Sequence, residues 1–479
     1  MTSNTVSLDD KYSIESGRIF VTGVQALARI PMVQRQRDVL EGLNTAGFIS
    51  GYRGSPVGGF DQQLWRAKKF LEQNHIHFQP GLNEDLAASA IWGSQQTNLH
   101  EGGRYDGVFA IWYGKGPGVD RCGDVFKHGN MSGPAKHGGV LLIAGDDHAA
   151  KSSTVPHQSE YAFMDASIPV LNPAGVQEVI DYGIFGFAMS RFSGCWVAFK
   201  TTAENMDSSS SIDVSPDRVK ISLPDFEMPE GGLSIRWPDD WIEQEHRLHQ
   251  YKLNAARAFA RENRIDRIII ESKTPKLGVI TTGKSYLDVR QALEDLGIDE
   301  VKADKLGLRL YKVGMPWPLE PAGIKEFSQG LKEILVVEEK RPIMESQLKE
   351  HLYNLPSNER PSVVGKFDEK GHVLQPAAGE LSPSQIARVI ASRLLKLSED
   401  KAIQEKLKLM DDKEKSLIKP ETDFARTPFF CSGCPHNTST RVPEGSRATA
   451  GIGCHFMSVW MDRNTSTFTH MGAEGTPWI

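Results

Sequence analysis

Residues 139–145 read Gly-Val-Leu-Leu-Ile-Ala-Gly, an unbroken apolar run between two glycines. Residues 107–113, Gly-Val-Phe-Ala-Ile-Trp-Tyr, form a second such run. Apolar runs without polar alternation are typical of strands buried on both faces of a parallel sheet. Helical stretches separate the short apolar runs from residue 18 to about residue 205. This alternation predicts an α/β fold with a parallel sheet.

A second α/β pattern follows a break after residue 203 that is rich in serine, proline and glycine. A helix is predicted over about 239–263. Beyond it the pattern predicts strands at Arg267–Ile270, Leu277–Thr282, Leu308–Val313 and 334–337, and helices at 285–296, 321–329 and 382–397. The charged stretch 398–419 predicts a solvated linker helix or a mobile segment.

These changes in composition divide the chain into four predicted segments. The first domain covers 1–235, and the second domain, with its connecting helix, covers 236–375. A linker is predicted over 376–425. Residues 426–479 are rich in glycine, cysteine and histidine and are too short for a complete domain of this kind.

Composition excludes several classes of protein. The 479 residues carry 55 Lys and Arg against 61 Asp and Glu, a net charge of −6, so no basic nucleic-acid-binding surface is expected. The apolar runs are far shorter than the ~18 residues of a membrane span. The N-terminus lacks the apolar core of a secretory signal, so we expect a cytoplasmic protein. Five cysteines are too few for a disulfide framework.

Three of those cysteines lie close together near the end of the sequence. Cys431 and Cys434 form a Cys-Ser-Gly-Cys turn, and Cys454 follows within Gly-Ile-Gly-Cys-His. Such a pair of thiolates with a third can occupy three corners of a zinc or iron–sulfur site. His436 or His455 could supply a fourth zinc ligand, whereas a cubane cluster would need another cysteine. The residues alone leave zinc, iron–sulfur and reduced thiols open.

A second motif combines a turn with an acidic residue. Tyr-Arg-Gly54-Ser55-Pro56 follows a predicted strand end, and Glu84 follows Asn83, a plausible helix N-cap. Strand ends in open α/β sheets are where ligands bind, and a carboxylate there can face a ligand nitrogen. Taken alone, Glu84 is more typical of a surface acid in a first helical turn.

Further polar clusters follow other predicted strands and helices. Residues 145–154, Gly-Asp-Asp-His-Ala-Ala-Lys-Ser-Ser-Thr, read equally well as a binding loop and as an ordinary polar loop. The clusters at 127–130, which contains Asn130, and at 156–158 are more typical of ordinary loops.

Taken together, the motifs resemble the thiamine-diphosphate-dependent 2-oxoacid:ferredoxin oxidoreductases, and most closely the indolepyruvate ferredoxin oxidoreductase family in its long bacterial form. The resemblance covers nearly the whole chain. It rests on the order of these motifs: the turn 52–56, Asn83-Glu84, Gly145-Asp146-Asp147 with Ser152-Ser153, Glu338-Glu339, the cysteine turn 431–436, Gly-Ile-Gly-Cys at 451–454, and Met471-Gly472.

The resemblance implies a pyrimidine-binding parallel-sheet domain, a transketolase-C-like domain and the start of a diphosphate-binding domain. It implies that Glu84 hydrogen-bonds N1′ of the aminopyrimidine and promotes the imino tautomer that deprotonates thiazolium C2. Ser55 matches the turn residue beside cofactor and substrate, and Cys431, Cys434 and Cys454 match three of four ligands of a 4Fe-4S cluster, in favour of iron over zinc. Further candidate cofactor-binding residues are Gly54, Pro56, Asn130, Gly433, His436 and Gly472.

The implied reaction is oxidative decarboxylation of an aryl 2-oxoacid, such as indolepyruvate, with coenzyme A. It gives acyl-CoA, carbon dioxide and electrons for ferredoxin, and it requires thiamine diphosphate, Mg²⁺ and the cluster. A homodimer or hetero-oligomer is expected. The family's Gly-Asp-Gly…Asn segment and a fourth cysteine do not follow Gly472, so we expect a fragment that is inactive alone. The alternatives are a non-catalytic subunit with structural zinc, or the same chemistry on another 2-oxoacid.

Overall fold

The computed structural model describes residues 6–153, 155–417, 427–451 and 453–468. Its first unit consists of alternating helices and strands. In chain order these are α1 (Asp10–Ser13), β1 (Arg18–Thr22), α2 (Gly23–Leu40), β2 (Ala46–Gly51), α3 (Phe60–Arg66), α4 (Lys68–Gln73), β3 (Ile76–Phe78), α5 (Glu84–Gln95), β4 (Val108–Lys115), α6 (Gly116–Arg121), α7 (Gly123–Ser132), β5 (Val140–Gly145), α8 (Glu160–Asp165), β6 (Val170–Leu171), α9 (Val176–Ser193), β7 (Val197–Thr201), α10 (Ala203–Met206) and β8 (Ser209–Asp213).

Six of these strands form one parallel sheet in the order β3-β2-β4-β5-β7-β6. Along β4 the side chains alternate between two cores. Phe109, Ile111 and Tyr113 pack with helices α2, α3 and α9, while Ala110 and Trp112 pack with α5, α6 and α7. Both faces of the strand are therefore buried, which explains the continuous apolar run and confirms the predicted parallel sheet.

The first unit also contains a pairing that the sequence pattern did not predict. Strands β1 and β8 form a separate antiparallel pair, in which Arg18 lies opposite Asp213 and Thr22 opposite Ser209. The serine-rich stretch that indicated a break is thus a strand. Only Ile212 of β8 is fully buried.

The second unit is another α/β sheet. It begins with α11 (Trp241–Arg247), a π-helical turn (Leu248–Lys252) and α12 (Leu253–Glu262). The elements that follow are β9 (Arg267–Ile270), β10 (Leu277–Thr282), α13 (Gly283–Asp295), α14 (Glu300–Leu306), β11 (Leu308–Val313), α15 (Pro321–Ser328), β12 (Glu333–Val337), α16 (Met344–Leu352), β13 (Ser362–Val364), α17 (Pro383–Leu397) and α18 (Lys401–Leu417).

The strand order of this sheet is β13-β12-β10-β11-β9, and only β9 runs antiparallel to its neighbour. The predicted strands and helices of this region are present, with ends shifted by at most two residues. Residues 376–425 were predicted as a linker. Within them, Ile386 and Ile390 of α17 and Ile403 of α18 are buried in the core of the second sheet. The three predicted boundaries between the four segments stay a prediction.

A small C-terminal part contains α19 (His436–Ser439), β14 (Ala448–Ala450), a 3₁₀ helix (Gly453–Trp460) and β15 (Thr465–Phe468). Strands β14 and β15 pair in parallel. Among the helices that the structure describes, none combines the length and the apolar character needed to cross a membrane.

Candidate active site

The carboxyl ends of three neighbouring strands meet at one edge of the first sheet. Gly51 at the end of β2 lies opposite Tyr113 of β4, and Lys115 at the end of β4 lies opposite Gly145 at the end of β5. The loops that follow these strands therefore converge, and this edge is where open α/β sheets bind ligands.

Helix α5 begins at this edge and is fixed there by two contacts. The side chain of Asn83 accepts a hydrogen bond from the backbone N–H of Leu86 at 2.8 Å, as predicted for an N-cap. The indole N–H of the buried Trp112 donates to the backbone oxygen of Glu84 at 3.1 Å. The first turn of α5, which carries Glu84, is thus held from the loop side and from the core.

The side chain of Glu84 lies against the first turn of α6. A methyl group on Gly118 would lie 2.5 Å from Cγ and 2.9 Å from Oε1 of Glu84, far closer than atoms approach. Gly118 therefore makes room for the carboxylate. The Glu84 side chain is neither fully buried nor fully exposed, so an incoming ligand can reach it.

The turn predicted at 52–56 packs onto the ends of β4 and β5. A methyl group on Gly54 would meet Cβ of Lys115 at 2.9 Å, and one on Gly145 would meet Cδ of Pro56 at 2.9 Å. Ser55 is exposed between them. The structure thus brings Gly54, Ser55 and Pro56 to the same edge of the sheet as Glu84.

The loop after β5 completes this edge. The carboxylate of Asp147 accepts hydrogen bonds from the backbone N–H groups of Lys151 (2.9 Å) and Ser152 (2.6 Å) and from the Ser152 hydroxyl (2.7 Å). Burial raises the pKa of Asp147, but these hydrogen bonds outweigh it, and the pKa lies below its usual value. The ammonium of Lys115 donates to the backbone oxygen of Ser152 at 2.6 Å and to its hydroxyl at 3.2 Å.

His157 lies at the end of the same loop. Its ring packs on Gly116, where a methyl group would lie 2.2 Å from Cγ of the imidazole. Its Nε2 is 3.1 Å from Oδ2 of Asp120. Burial lowers the pKa of His157, but the hydrogen bond and charge of Asp120 outweigh it, and the net pKa is raised.

Asp146 points away from the turn and into a buried ionic cluster. It accepts from the backbone N–H of Ser159 at 2.9 Å and lies 3.5 Å from the ammonium of Lys200, which also bonds Glu160 at 2.5 Å. His148 lines a small cavity beside this cluster, together with Lys200 and with Glu339 of the second unit. Burial, followed by nearby lysines, lowers the pKa of His148 well below its usual value.

Asn130 does not lie at this edge of the sheet, and its assignment as a cofactor-binding residue stays a prediction. Its side-chain N–H groups donate to the backbone oxygens of Ala166 (3.0 Å) and Ser167 (2.8 Å), and its side-chain oxygen accepts from the backbone N–H of Trp196 (2.9 Å). These partners precede β6 and β7, so Asn130 lies at the amino ends of the strands, opposite the turn. Its side chain is fully buried and connects the loops that precede β6 and β7.

The cysteine turn 431–434 packs beside the segment that carries Cys454. The rings of His436 and His455 stack with centroids 5.8 Å apart, and Sγ of Cys434 lies 3.3 Å from Nδ1 of His436. Cys431 and Cys454 are exposed and Cys434 is partly buried; all three are free thiols. Gly433 has a φ of 76°, a left-handed conformation that favours glycine.

Among residues 6–153, 155–417, 427–451 and 453–468, no three His, Cys, Asp or Glu side chains are close enough together to hold a metal ion. Gly472 lies outside the described residues.

Sequence reasoning missed three contributors to this edge: Lys115, Gly118 and His157. Gly116-Pro117-Gly118 directly follows a predicted buried strand, and this position in the sequence could have identified Gly118 as a residue of the site. For His157 the sequence alone favours an ordinary loop, since its proximity to Gly116 arises only in the folded chain.

Comparisons with known proteins agree with this architecture. Residues 266–420 match the model of the indolepyruvate ferredoxin oxidoreductase middle domain. Indolepyruvate oxidoreductase subunit IorA of Pyrococcus abyssi is 26% identical over 460 residues, covering 92% of this chain and 62% of the relative. The same subunit of Archaeoglobus fulgidus is 25% identical over 459 residues, covering 93% and 65%.

A solved 2-oxoglutarate:ferredoxin oxidoreductase from Magnetococcus marinus, with 2-oxoglutarate, coenzyme A and succinyl-CoA bound, has a similar fold. The TM-score is 0.54 at 15% identity, over 79% of this chain and 65% of that one. The present chain spans about 62% of the length of the Pyrococcus abyssi relative. Residues 266–420 thus match a domain of the indolepyruvate ferredoxin oxidoreductase family, and the chain as a whole is similar to indolepyruvate oxidoreductase IorA subunits.

Proposed function

We propose that this chain forms the thiamine-activating part of a cytoplasmic enzyme that oxidatively decarboxylates an aryl 2-oxoacid, such as indolepyruvate, with coenzyme A. The products are an acyl-CoA, carbon dioxide and reduced ferredoxin. The position of Glu84 carries the proposal: its carboxylate lies on Gly118 at the edge where β2, β4 and β5 end. The names of the relatives support an indolepyruvate-like substrate.

The residues at this edge fit an aminopyrimidine ring. Such a ring needs a carboxylate directed at one ring nitrogen, and the cap of α5 and the Trp112 indole hold Glu84 in a fixed place. Gly54 and Gly118 leave space that any larger side chain would fill. Bound thiamine diphosphate would supply a carbon nucleophile and an electron sink. Glu84 would hold the proton at the ring nitrogen, and Ser55 would lie beside the substrate.

The diphosphate and Mg²⁺ would bind elsewhere. Gly472, the predicted residue nearest to that site, lies outside the described residues, so no step at the diphosphate is derived from this chain.

The three cysteines are proposed as ligands of a 4Fe-4S cluster on the resemblance of the 431–436 turn. The described side chains do not converge as a three-ligand group, so no electron-transfer step is derived through them. The alternative is a structural zinc site in a non-catalytic subunit, for which His436 and His455 beside Cys434 are the candidate further ligands. Iron, sulfide and zinc analysis of anaerobically purified protein separates the two. Iron with sulfide supports the cluster, and stoichiometric zinc contradicts it.

An exposed face of α5 supports assembly into an oligomer. Leu86, Ala90 and Gly93 lie on one side of the helix and are exposed, with Leu86 54% accessible. Leu82, just before the helix, is 86% accessible. We propose that another domain or subunit covers this face and closes the site above Glu84.

The substitution Glu84→Gln tests the function. Glutamine keeps the size of the side chain but cannot act as the base, so deuterium exchange at C2 of bound thiamine diphosphate should slow at least ~100-fold. Calorimetry should show cofactor affinity within about 3-fold of the unaltered protein. Glu101→Gln, at an exposed site, is the control and should change neither quantity. Unchanged exchange in Glu84→Gln would remove Glu84 from the mechanism.

A further inference from the structure

Two basic side chains, Lys115 and His157, line the candidate active site without a function in thiamine activation. Lys115 ends β4, and its side chain runs along Gly54 of the turn. His157 packs on Gly116, two residues from the glycine that accommodates Glu84. Both side chains therefore reach the edge where the turn, the first turn of α6 and the loop after β5 meet.

The electrostatics of this edge explain why cations are needed there. A 2-oxoacid brings a carboxylate into a site that already holds the acidic side chains of Glu84 and Asp147. Like charges within one site repel one another, and the repulsion grows as water is excluded from the site. A substrate anion is bound favourably only if positive groups compensate for this repulsion.

We propose that Lys115 and His157 bind the carboxylate of the 2-oxoacid substrate. The inference rests on the proposed function and adds to it the residues that recognise the charged end of the substrate. One positive side chain that competes for this role is Arg53, which lies in the turn, 76% exposed and 4.0 Å from Asp61.

The bonding of Lys115 suits this role. Two of its N–H groups donate to Ser152, to a backbone oxygen and a hydroxyl, which are neutral acceptors. The nearby carboxylate of Asp147 is occupied by the N–H groups of Lys151 and Ser152 and by the Ser152 hydroxyl. Lys115 is therefore oriented by neutral groups. An ammonium has three N–H donors, so one remains for a substrate carboxylate.

The bonding of His157 makes binding depend on pH. Asp120 on α6 and Asp146 on the loop favour the imidazolium, whereas Lys115 at the end of β4 disfavours it. Asp147 contributes its backbone oxygen, which accepts a hydrogen bond from the backbone N–H of His157 at 3.2 Å. A substrate carboxylate binds the protonated form better, so affinity should be highest below the pKa of His157 and fall as pH rises through it.

Substrate binding without turnover tests the inference. Phenylpyruvate and its uncharged methyl ester are titrated calorimetrically into the complete enzyme that contains this chain, loaded with thiamine diphosphate and Mg²⁺, without coenzyme A or acceptor. The acid should bind at least ~10-fold more tightly than the ester at pH 6, and this ratio should shrink by pH 8. Lys115→Met and His157→Asn should each weaken acid binding about 10-fold and leave ester and cofactor binding unchanged.

Matched controls come from α7. His128 lies 3.6 Å from Asp124 and Lys127 lies 2.6 Å from Asp165, both at the surface. His128→Asn and Lys127→Met should bind the acid like the unaltered chain. NMR of the His157 imidazole needs no variant: its pKa should rise when phenylpyruvate is added and stay constant with the ester.

The outcomes separate the two proposals. Acid binding retained in Lys115→Met and His157→Asn, or lost in Arg53→Gln instead, overturns the assignment of the carboxylate site and leaves the thiamine proposal in place. A complete enzyme containing the unaltered chain that fails to bind thiamine diphosphate overturns the proposed function and this inference with it.

Discussion

Gly118 shows how one missing side chain shapes the candidate site. Gly118→Ala would place a methyl group 2.5 Å from Cγ of Glu84, and the flexible carboxylate would have to move. We expect C2 exchange of bound thiamine diphosphate to slow at least ~10-fold, because displacing a reacting group by ~1 Å costs up to ~100-fold in rate. Thermal stability should change little.

Gly123→Ala is the matched control, since a methyl group there meets nothing within 4 Å. It should leave C2 exchange unchanged and alter stability by less than ~1 kcal/mol. Equal slowing in both variants would mean that the space beside Glu84 is not what Gly118 provides.

Asp266 gives a prediction for stability against pH. Burial raises its pKa to about 7, although Oδ1 accepts from the N–H groups of Gly314 (2.7 Å) and Met315 (3.0 Å). An aspartate in an unfolded chain titrates near pH ~4. Between these values the folded state holds a proton that the unfolded chain releases, so the free energy of unfolding falls as pH rises from about 4 to 7.

Asp266→Asn keeps the acceptor oxygen and carries no charge. We expect the variant to gain stability relative to the unaltered chain between pH 5 and pH 8, measured by urea unfolding. Asp304→Asn is the comparison, because the hydrogen bond from Lys273 lowers the pKa of this exposed carboxyl. It should show no such gain, and parallel pH curves for Asp266→Asn and the unaltered chain would contradict the prediction.

At the scale of elements, helix α5 depends on its N-cap both for stability and for the position of Glu84. Asn83→Ala removes the hydrogen bond to the N–H of Leu86 and should lower the free energy of unfolding by ~1 kcal/mol. Asp299→Ala removes the equivalent cap of α14, a bond of 2.8 Å to the N–H of Lys302, and should cost a similar amount. Only Asn83→Ala should slow C2 exchange of bound thiamine diphosphate. Slower exchange in both variants would show that the exchange rate depends on the overall stability of the protein and not on the position of Glu84.

Local sequence pattern predicted some of these elements well and missed others. Strands β10 and β11 are continuous apolar runs because helices cover both faces of their sheet, so their bounds were predicted correctly. Strand β8 was missed because its serines look like a loop, and its partner β1 is distant in sequence. Pairing between distant segments leaves no local signal.

The same limit applies to the candidate site. The turn at Ser55 and the acid Glu84 were expected from position relative to strand ends, and the structure places them at one edge. That His157 packs on Gly116 depends on two loops that meet only after the sheet has formed. Asn130 lies at the opposite edge of the sheet, and the sequence gives no local signal for which edge a polar residue near a helix end occupies.

At the scale of the whole molecule, a buried ionic cluster lies where the two α/β units meet. Lys200 at the end of β7 contacts Asp146 and Glu160 of the first unit. Lys284 of the second unit lies 3.0 Å from Glu339 and lines the same cavity. Burial lowers the pKa of Lys200, but Glu160 and Asp146 outweigh it and the net pKa is raised. The two carboxylates therefore favour the charged form of the Lys200 side chain.

Replacing Lys200 should lower the free energy of unfolding more than replacing a charged residue at the surface does. Lys200→Met leaves the buried carboxylates of Asp146 and Glu160 without their cation, and breaking a buried pair in this way costs ~3–5 kcal/mol. Lys127→Met, which removes an exposed pair with Asp165, should cost less than ~1 kcal/mol. Urea unfolding of both variants measures the difference. A Lys200→Met variant as stable as Lys127→Met would show that water reaches the cluster and that these charges do not join the two units.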